Sequence, residues 1–378
     1  MILSSTMFHA GGALIEPATG VRFQAMAMGY THSAMINASG QLYTSGNQLS
    51  GRCGNGVTTG TAWTKQFVSL PAGAIQVDAG LDGTSVLLSD NTVRFFGAGL
   101  NNIRGDGLTS DAATPITPSN AENVAQVALG RRAHFMLKKT GALFSSGTSA
   151  PNGHGALVST MTEIPTLSGE IIVQVSAGYD HSAAIDIDGN LWTWGQNTYG
   201  QNGRADGAGR YIPVKVSGMT NCLKVSCGRN NTHVLKTDGT VWTVGQSASG
   251  ANGNGTTTPN LTSFAQISTI SGATDISCGQ YHGMAVTGSG IVAWGQGTSG
   301  QLCDGSTVDR TTPVSTTGPS GTAQFVSCGG FQNFAANTAG AIYGGGYGDN
   351  GQFATTTSPG TLTNFANAAY TGETVLTP

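Results

Sequence analysis

Charge is what this chain has least of. Of 378 residues, 16 are Lys or Arg and 19 are Asp or Glu, so 9% are charged and the formal net charge is −3. A typical globular chain carries roughly 25%. So few cations cannot neutralise a run of phosphates, which excludes a nucleic-acid-binding surface. Long apolar runs are also missing: none approaches the ~18 residues of a membrane helix, so no membrane insertion is expected. The start, Met1-Ile2-Leu3-Ser4-Ser5-Thr6, has neither the basic region nor the long apolar core of a secretory signal. Cysteine is scarce, and Cys53, Cys222, Cys227, Cys278, Cys303 and Cys328 follow a repeat and not a disulfide framework. Reduced thiols and synthesis in a cytoplasm are therefore expected.

Glycine is what the chain has instead. It supplies 58 of 378 residues, about 15% against an average near 7%. That content excludes a coiled coil, and the lack of a strict glycine triplet excludes collagen. Hydrophobic residues at 38% supply enough apolar area to fold, which excludes a disordered polyampholyte.

The glycines are periodic. They recur at 29, 80, 130, 178, 228, 279 and 329, in steps of 48 to 51. Eleven residues after each stands Gly40, Asn91, Gly141, Gly189, Gly239, Gly290 or Gly340, the one Asn being the residue best able to replace glycine in a tight turn. A third column follows at Gly46, Gly97, Gly147, Gly195, Gly245, Gly295 and Gly346. Six further matches in one column arise by chance roughly once in 10⁵, so this is an internal repeat.

Between the glycines the pattern is that of strands. Three residues before the first glycine stand Met26, Val77, Val127, Val175, Val225, Ile276 and Val326, with small residues beside them. This describes a strand in a crowded place. A second short strand and a tight turn such as Asp188-Gly189 lead to a third strand with adjacent apolar residues, as in Leu191-Trp192 and Val241-Trp242. Adjacent side chains point to opposite faces, so this strand must be buried on both. A loop and a fourth strand, as in Ile212-Pro213-Val214-Lys215-Val216, close the unit. Seven four-stranded units with two apolar faces each are satisfied by radial stacking. The expected fold is all-β, a seven-bladed β-propeller of about 50-residue repeats forming a single domain over residues 1–378. Blades start near residues 21, 73, 122, 171, 221, 272 and 322, and the termini, 1–20 and 361–378, are expected to close the ring. Ala13-Leu14-Ile15-Glu16 and Thr361-Leu362-Thr363-Asn364-Phe365 compete to supply the closing strand.

The fourth unit contains Val175-Ser176-Ala177-Gly178-Tyr179-Asp180-His181-Ser182, then Asp188-Gly189-Asn190-Leu191-Trp192-Thr193-Trp194-Gly195-Gln196-Asn197, then Gly200-Gln201-Asn202-Gly203. It resembles the repeat of the regulator of chromosome condensation family, whose members form seven-bladed propellers. The resemblance covers about residues 21 to 360. Units two and three depart from it: Gly83 stands where the motif has His, Asn91 replaces the turn glycine, and unit three lacks the Gly-Gln pair. Altered loops are expected on that side. That family is known for nucleotide exchange on a small nuclear GTPase and for nucleosome binding. Neither carries over, because no inserted wedge breaks the repeat spacing and no basic arm is present. A fold by itself does not decide function.

Several residues invite a chemical reading. His32, His181 and His282 share one repeat position; equivalent places on a ring do not converge, so they are expected to fix a blade turn by hydrogen bonding. The adjacent Ser33 and Ser182 point the other way and cannot be activated by them. Cys227, Cys278 and Cys328 share another position, which Ala79 and Ala177 also fill, so they read as small buried hydrophobes and not zinc ligands. Asp186-Ile187-Asp188-Gly189 reads as a hairpin turn and not half a calcium loop. Arg131-Arg132 and Lys138-Lys139 flank one strand and should lie at its opposite ends. Asp78 and Asp275 are the carboxylates an enzymatic reading would need, but they fall in blades that are not neighbours. No catalytic, metal or cofactor site is expected. Trp63, Tyr199, Tyr211 and Tyr347, in or near loops, are the candidate binding anchors.

The function expected from these observations is a non-enzymatic binding or assembly module. A Gly/Ser/Thr/Asn-rich surface without a secretion signal suits a bacteriophage tail, fibre or decoration protein, made in the host cytoplasm and carried in the virion. Its partners would be other virion proteins and host-surface glycans or proteins. The alternative is a cytoplasmic scaffold or regulator that grips a protein across one propeller face.

Overall fold

The computed structural model describes residues 26–205, 209–354 and 360–367. Among these residues the strands form seven four-stranded antiparallel sheets, arranged as blades around an axis. Blade four shows the pattern: Ile172–Ala177 innermost, then His181–Asp186, Leu191–Gly195 and Arg210–Lys215. The long loop between the third and fourth strands and the short turn after the inner strand share one face of the disc, called here the long-loop face. The tight turns and blade-to-blade linkers share the other.

The core lies between blades and not within them. Ala183, Ile185 and Leu191 of blade four pack with Val225, Cys227 and Val234 of blade five. Leu191 enters that core, while Trp192 packs into the core between blades three and four. The adjacent apolar pair on the third strand thus packs on both sheet faces, in two different cores, with Leu191 fully buried and Trp192 partly so. Each fully buried aliphatic or aromatic side chain stabilises the packing by about 1.5–3 kcal/mol, and no blade can hide its faces alone.

The first glycine column is imposed by convergence of the inner strands. A Cβ at Gly29 would lie 2.7 Å from the carbonyl oxygen of Gly80, and one at Gly329 would lie 2.5 Å from that of Gly29. Backbone N–H groups of Tyr30, Arg131, Tyr179 and Gln280 donate to the carbonyls of Gly80, Gly178, Gly228 and Gly329 in the next blade. The second column has another cause: Gly189 has φ +76°, and Asn91 takes φ +63° in the same turn, as the substitution predicts.

Blades are also tied by side chains on their inner strands. The Gln76, Gln126 and Gln174 amides each accept from one backbone N–H and donate to one carbonyl in the next blade. Ser176, Ser226 and Ser277 accept from the N–H groups of Cys227, Cys278 and Cys328.

Ring closure uses the same devices. Blade seven consists of Ala323–Cys328, Gln332–Asn337, Ile342–Tyr347 and Thr361–Asn367, so the C-terminal segment supplies its outer strand. The competing Ala13–Glu16 segment lies outside the described residues. Blade one comprises Met26–Met28, His32–Ile36, Leu42–Asn47 and Thr61–Val68. It meets blade seven through Met28 N–H to Ser327 Oγ (3.3 Å), Ser33 Oγ to the Gln352 carbonyl (2.6 Å), and a shared core of Met26, Met35, Phe334 and Phe353.

Units two and three differ from the repeat in compensated ways. The Phe95 ring fills the space beside Gly83 that a histidine would need, 2.9 Å from a Cβ placed there. In unit three the Pro151 carbonyl accepts from both Ser182 Oγ and Trp194 Nε1, at 2.9 and 2.7 Å.

Candidate functional site

The site is built from the short turns that follow the inner strands. The residues directly after the seven glycines ring the channel mouth on the long-loop face. Between blades three and six these turns carry an alternating series of cations and aromatic rings: Arg131, Tyr179, Arg229 and Tyr281. The Arg131 guanidinium lies 4.2 Å from the centre of the Tyr179 ring. Arg229 lies 5.1 Å from that ring and 5.1 Å from the Tyr281 ring, and donates to the Tyr281 hydroxyl. Asp180 accepts ion pairs from Arg132 at 3.1 Å and Arg131 at 3.8 Å. Across the ring, Tyr30 and Phe331 pack with centroids 6.0 Å apart, and Arg52 pairs with Asp82 at 2.9 Å. Below this mouth runs a channel of about 760 Å³ lined by all seven inner strands.

The histidines form the structural layer beneath. The Thr232 hydroxyl donates its one proton to the Gln201 carbonyl (2.7 Å), so His181 Nε2, 2.9 Å away, is the donor to Thr232. His32, Thr84 and the Arg52 carbonyl repeat the relay, and His282, Asn333 and the Gln301 carbonyl repeat it with an amide. The expected bond within a blade turn is thus a bond between blades. The buried Nδ1 atoms of these three histidines have no hydrogen-bond partner. Burial lowers His32 to about 3 and His181 and His282 to about 4, so all three are neutral at pH 7.

The other candidates are likewise structural. Burial pushes the Cys227 and Cys328 thiols up to about 12 and raises Cys278 well above the ordinary thiol range; all six cysteines are free of disulfides. Among the described residues no group of three His, Cys, Asp or Glu side chains could hold a metal ion. Asp186 accepts from the Asp188 and Asn190 backbone N–H groups, from Trp192 Nε1 and from Lys215, which makes it the brace of a hairpin turn. Asp78 accepts from the Leu129 N–H, and Asp275 from the Val326 N–H and Lys224 Nζ. Both carboxylates therefore tie inner strands together, in blades two and six. Arg131-Arg132 and Lys138-Lys139 flank the strand Ala133–Lys138, and Lys138 is held by the Asn120 and Glu122 carbonyls, far from the arginine turn.

The four candidate anchors are spread over three blades. Trp63 lies on the outer strand of blade one, Tyr199 and Tyr211 on the long loop and outer strand of blade four, and Tyr347 at the end of the third strand of blade seven. Tyr211 is exposed and the other three are half-buried. The structure does not bring them into one cluster. What it does bring together is Arg131, Tyr179, Arg229 and Tyr281, of which only Arg131 stood out in the sequence. The signal available was position: all but Tyr281 directly follow a first-column glycine.

Residues 13–330 match the RCC1-like domain. The chain belongs to the RCC1-like domain family. It is 28% identical over 209 residues to the ultraviolet-B receptor UVR8 of Arabidopsis thaliana, covering 53% of this chain and 48% of the receptor. Over 301 residues it is 27% identical to the secretion-regulating guanine nucleotide exchange factor of Bos taurus, covering 70% of this chain and 64% of that protein. The chain thus spans about half to two thirds of these relatives. Prp20p from Saccharomyces cerevisiae, whose structure was described with its binding to Gsp1p and histones, superposes with a TM-score of 0.72 at 18% identity. That match covers 86% of this chain and 83% of Prp20p and supports the RCC1-like propeller fold.

Proposed function

We propose that this RCC1-like propeller is a protein-binding module, a scaffold or regulator that grips its partner across the long-loop face. One observation carries the reading. Of the ten large hydrophobic side chains that stand exposed among the described residues, six project from the long loops: Leu49, Val57, Leu100, Leu108, Leu157 and Val308. Leu49 and Leu100 occupy equivalent positions in blades one and two and are 53% and 70% exposed. Large apolar residues gathered on one face are a feature of surfaces that another protein covers. Membership of a family that includes a receptor and an exchange factor supports the same reading. The virion-attachment role rests on the Gly/Ser/Thr/Asn-rich composition together with the missing signal pattern, and the relatives favour its alternative.

The test is capture of partners from the producing cell with the wild-type chain and with a Leu49→Ser, Leu100→Ser, Leu108→Ser triple variant. The wild type should recover a stoichiometric partner, and the variant should recover at least tenfold less while melting at the same temperature. Equal recovery by both would end the reading. Finding the protein in purified phage particles, with no intracellular partner, would restore the attachment role.

A further inference from the structure

We propose that the channel mouth between blades three and six is a docking site for an acidic segment of the protein partner, with Arg131, Arg132 and Arg229 receiving its carboxylates. The proposal rests on the reading that the long-loop face binds a protein, and it names the chemistry of what is bound. Three arginines gather there around the Tyr179 turn, and two of them, Arg131 and Arg132, share a single carboxylate, Asp180. Within the four turns 130–132, 178–180, 228–230 and 279–281 the balance is three positive charges less one negative, or +2, on a chain whose overall charge is −3. Arg229 meets only rings and a hydroxyl among the described residues.

Ring contacts with Tyr179 and Tyr281 hold Arg131 and Arg229, and Asp180 holds Arg132, so little side-chain freedom is left to lose when a ligand arrives. A planar guanidinium fork matches a carboxylate in two parallel hydrogen bonds. The low-dielectric walls of the propeller around the half-buried mouth strengthen each such pair relative to open water. A nucleic-acid ligand is disfavoured by the same count, since three cations confined to one sector of a mouth cannot follow a phosphate backbone.

Fluorescence anisotropy with a labelled deca-glutamate peptide tests this, with deca-glutamine and a ten-nucleotide poly-thymidine strand as comparators. Deca-glutamate should bind, deca-glutamine should not, and raising the salt from low to several hundred millimolar should weaken binding. Arg229→Gln and the Arg131→Gln, Arg132→Gln pair should each lose about tenfold or more in affinity, with unchanged melting temperatures. Tyr179→Leu, which keeps every charge but removes the stacking platform, should lose severalfold. Deca-glutamate binding no tighter than deca-glutamine, or binding untouched in Arg229→Gln, would overturn the proposal. Equal affinity for the thymidine strand would also overturn it, since the mouth would then be a general anion site. The leucine triple variant should bind deca-glutamate as the wild type does. Loss of peptide binding with partner capture intact would remove this inference alone, whereas partner capture untouched by the leucine changes would remove the docking reading.

Discussion

At the residue scale, the buried histidines make the fold acid-sensitive. Burial lowers His32 and His134 to about 3, and His181, His233 and His282 to about 4, against about 6.5 in an unfolded chain. A base whose folded value is depressed contributes its stability in full above the unfolded value. That stability is lost as pH falls towards the folded value, because the unfolded chain takes up protons that the native one refuses. Asp78 acts in the opposite sense. Burial pushes its carboxyl up to about 6, although one side faces the channel, so its share is present below pH ~3.8 and lost as pH rises through 6. One such group cannot offset five. The urea midpoint should therefore fall steadily between pH 6.5 and 4, and a flat or rising midpoint would contradict the neutral, buried assignment.

At the scale of the elements, the inner strands set the tolerance of the fold. Gly178→Ala would place a Cβ 2.5 Å from the carbonyl oxygen of Gly228, and backbone against backbone leaves no flexible group to move aside. The change should destabilise by about 1–3 kcal/mol, as overpacking of a tight interface does. Gly288→Ala is the control, since nothing lies within 4 Å of its added Cβ and its φ is not positive; it should be neutral or slightly stabilising. Chemical denaturation of both variants compares them directly, and equal stability would show that the inner strands can spread. The glycine columns were legible in the sequence because each answers a constraint repeated seven times. The strand-to-strand bonds of Gln126, Ser226 and Thr232 were not, because their partners lie about fifty residues away and become neighbours only when the blades stack.

At the scale of the whole molecule, the interface between blades seven and one resembles the other six, and the strand Thr361–Asn367 belongs to one blade only. Phe365 packs into the core with Leu302 and Cys303 of blade six, and its N–H donates to the Thr317 carbonyl. A chain ended at Gly360 should melt roughly 5–10 °C lower, the cost of one buried aromatic and its neighbours. Cys303, fully buried in the native fold, should then react with a thiol reagent. An unchanged melting temperature and a protected Cys303 would show that this strand does not complete the blade.

The repeat length, the number of blades and the two-faced burial of the third strand were determined by the sequence alone, because each rests on local patterns that seven copies reinforce. Which terminal segment completes blade seven, and that Arg131, Tyr179, Arg229 and Tyr281 line one sector of a channel mouth, were decided only by the tertiary structure. Both depend on distances across a closed ring, and spacing along a chain carries no record of which residues meet when its ends come round.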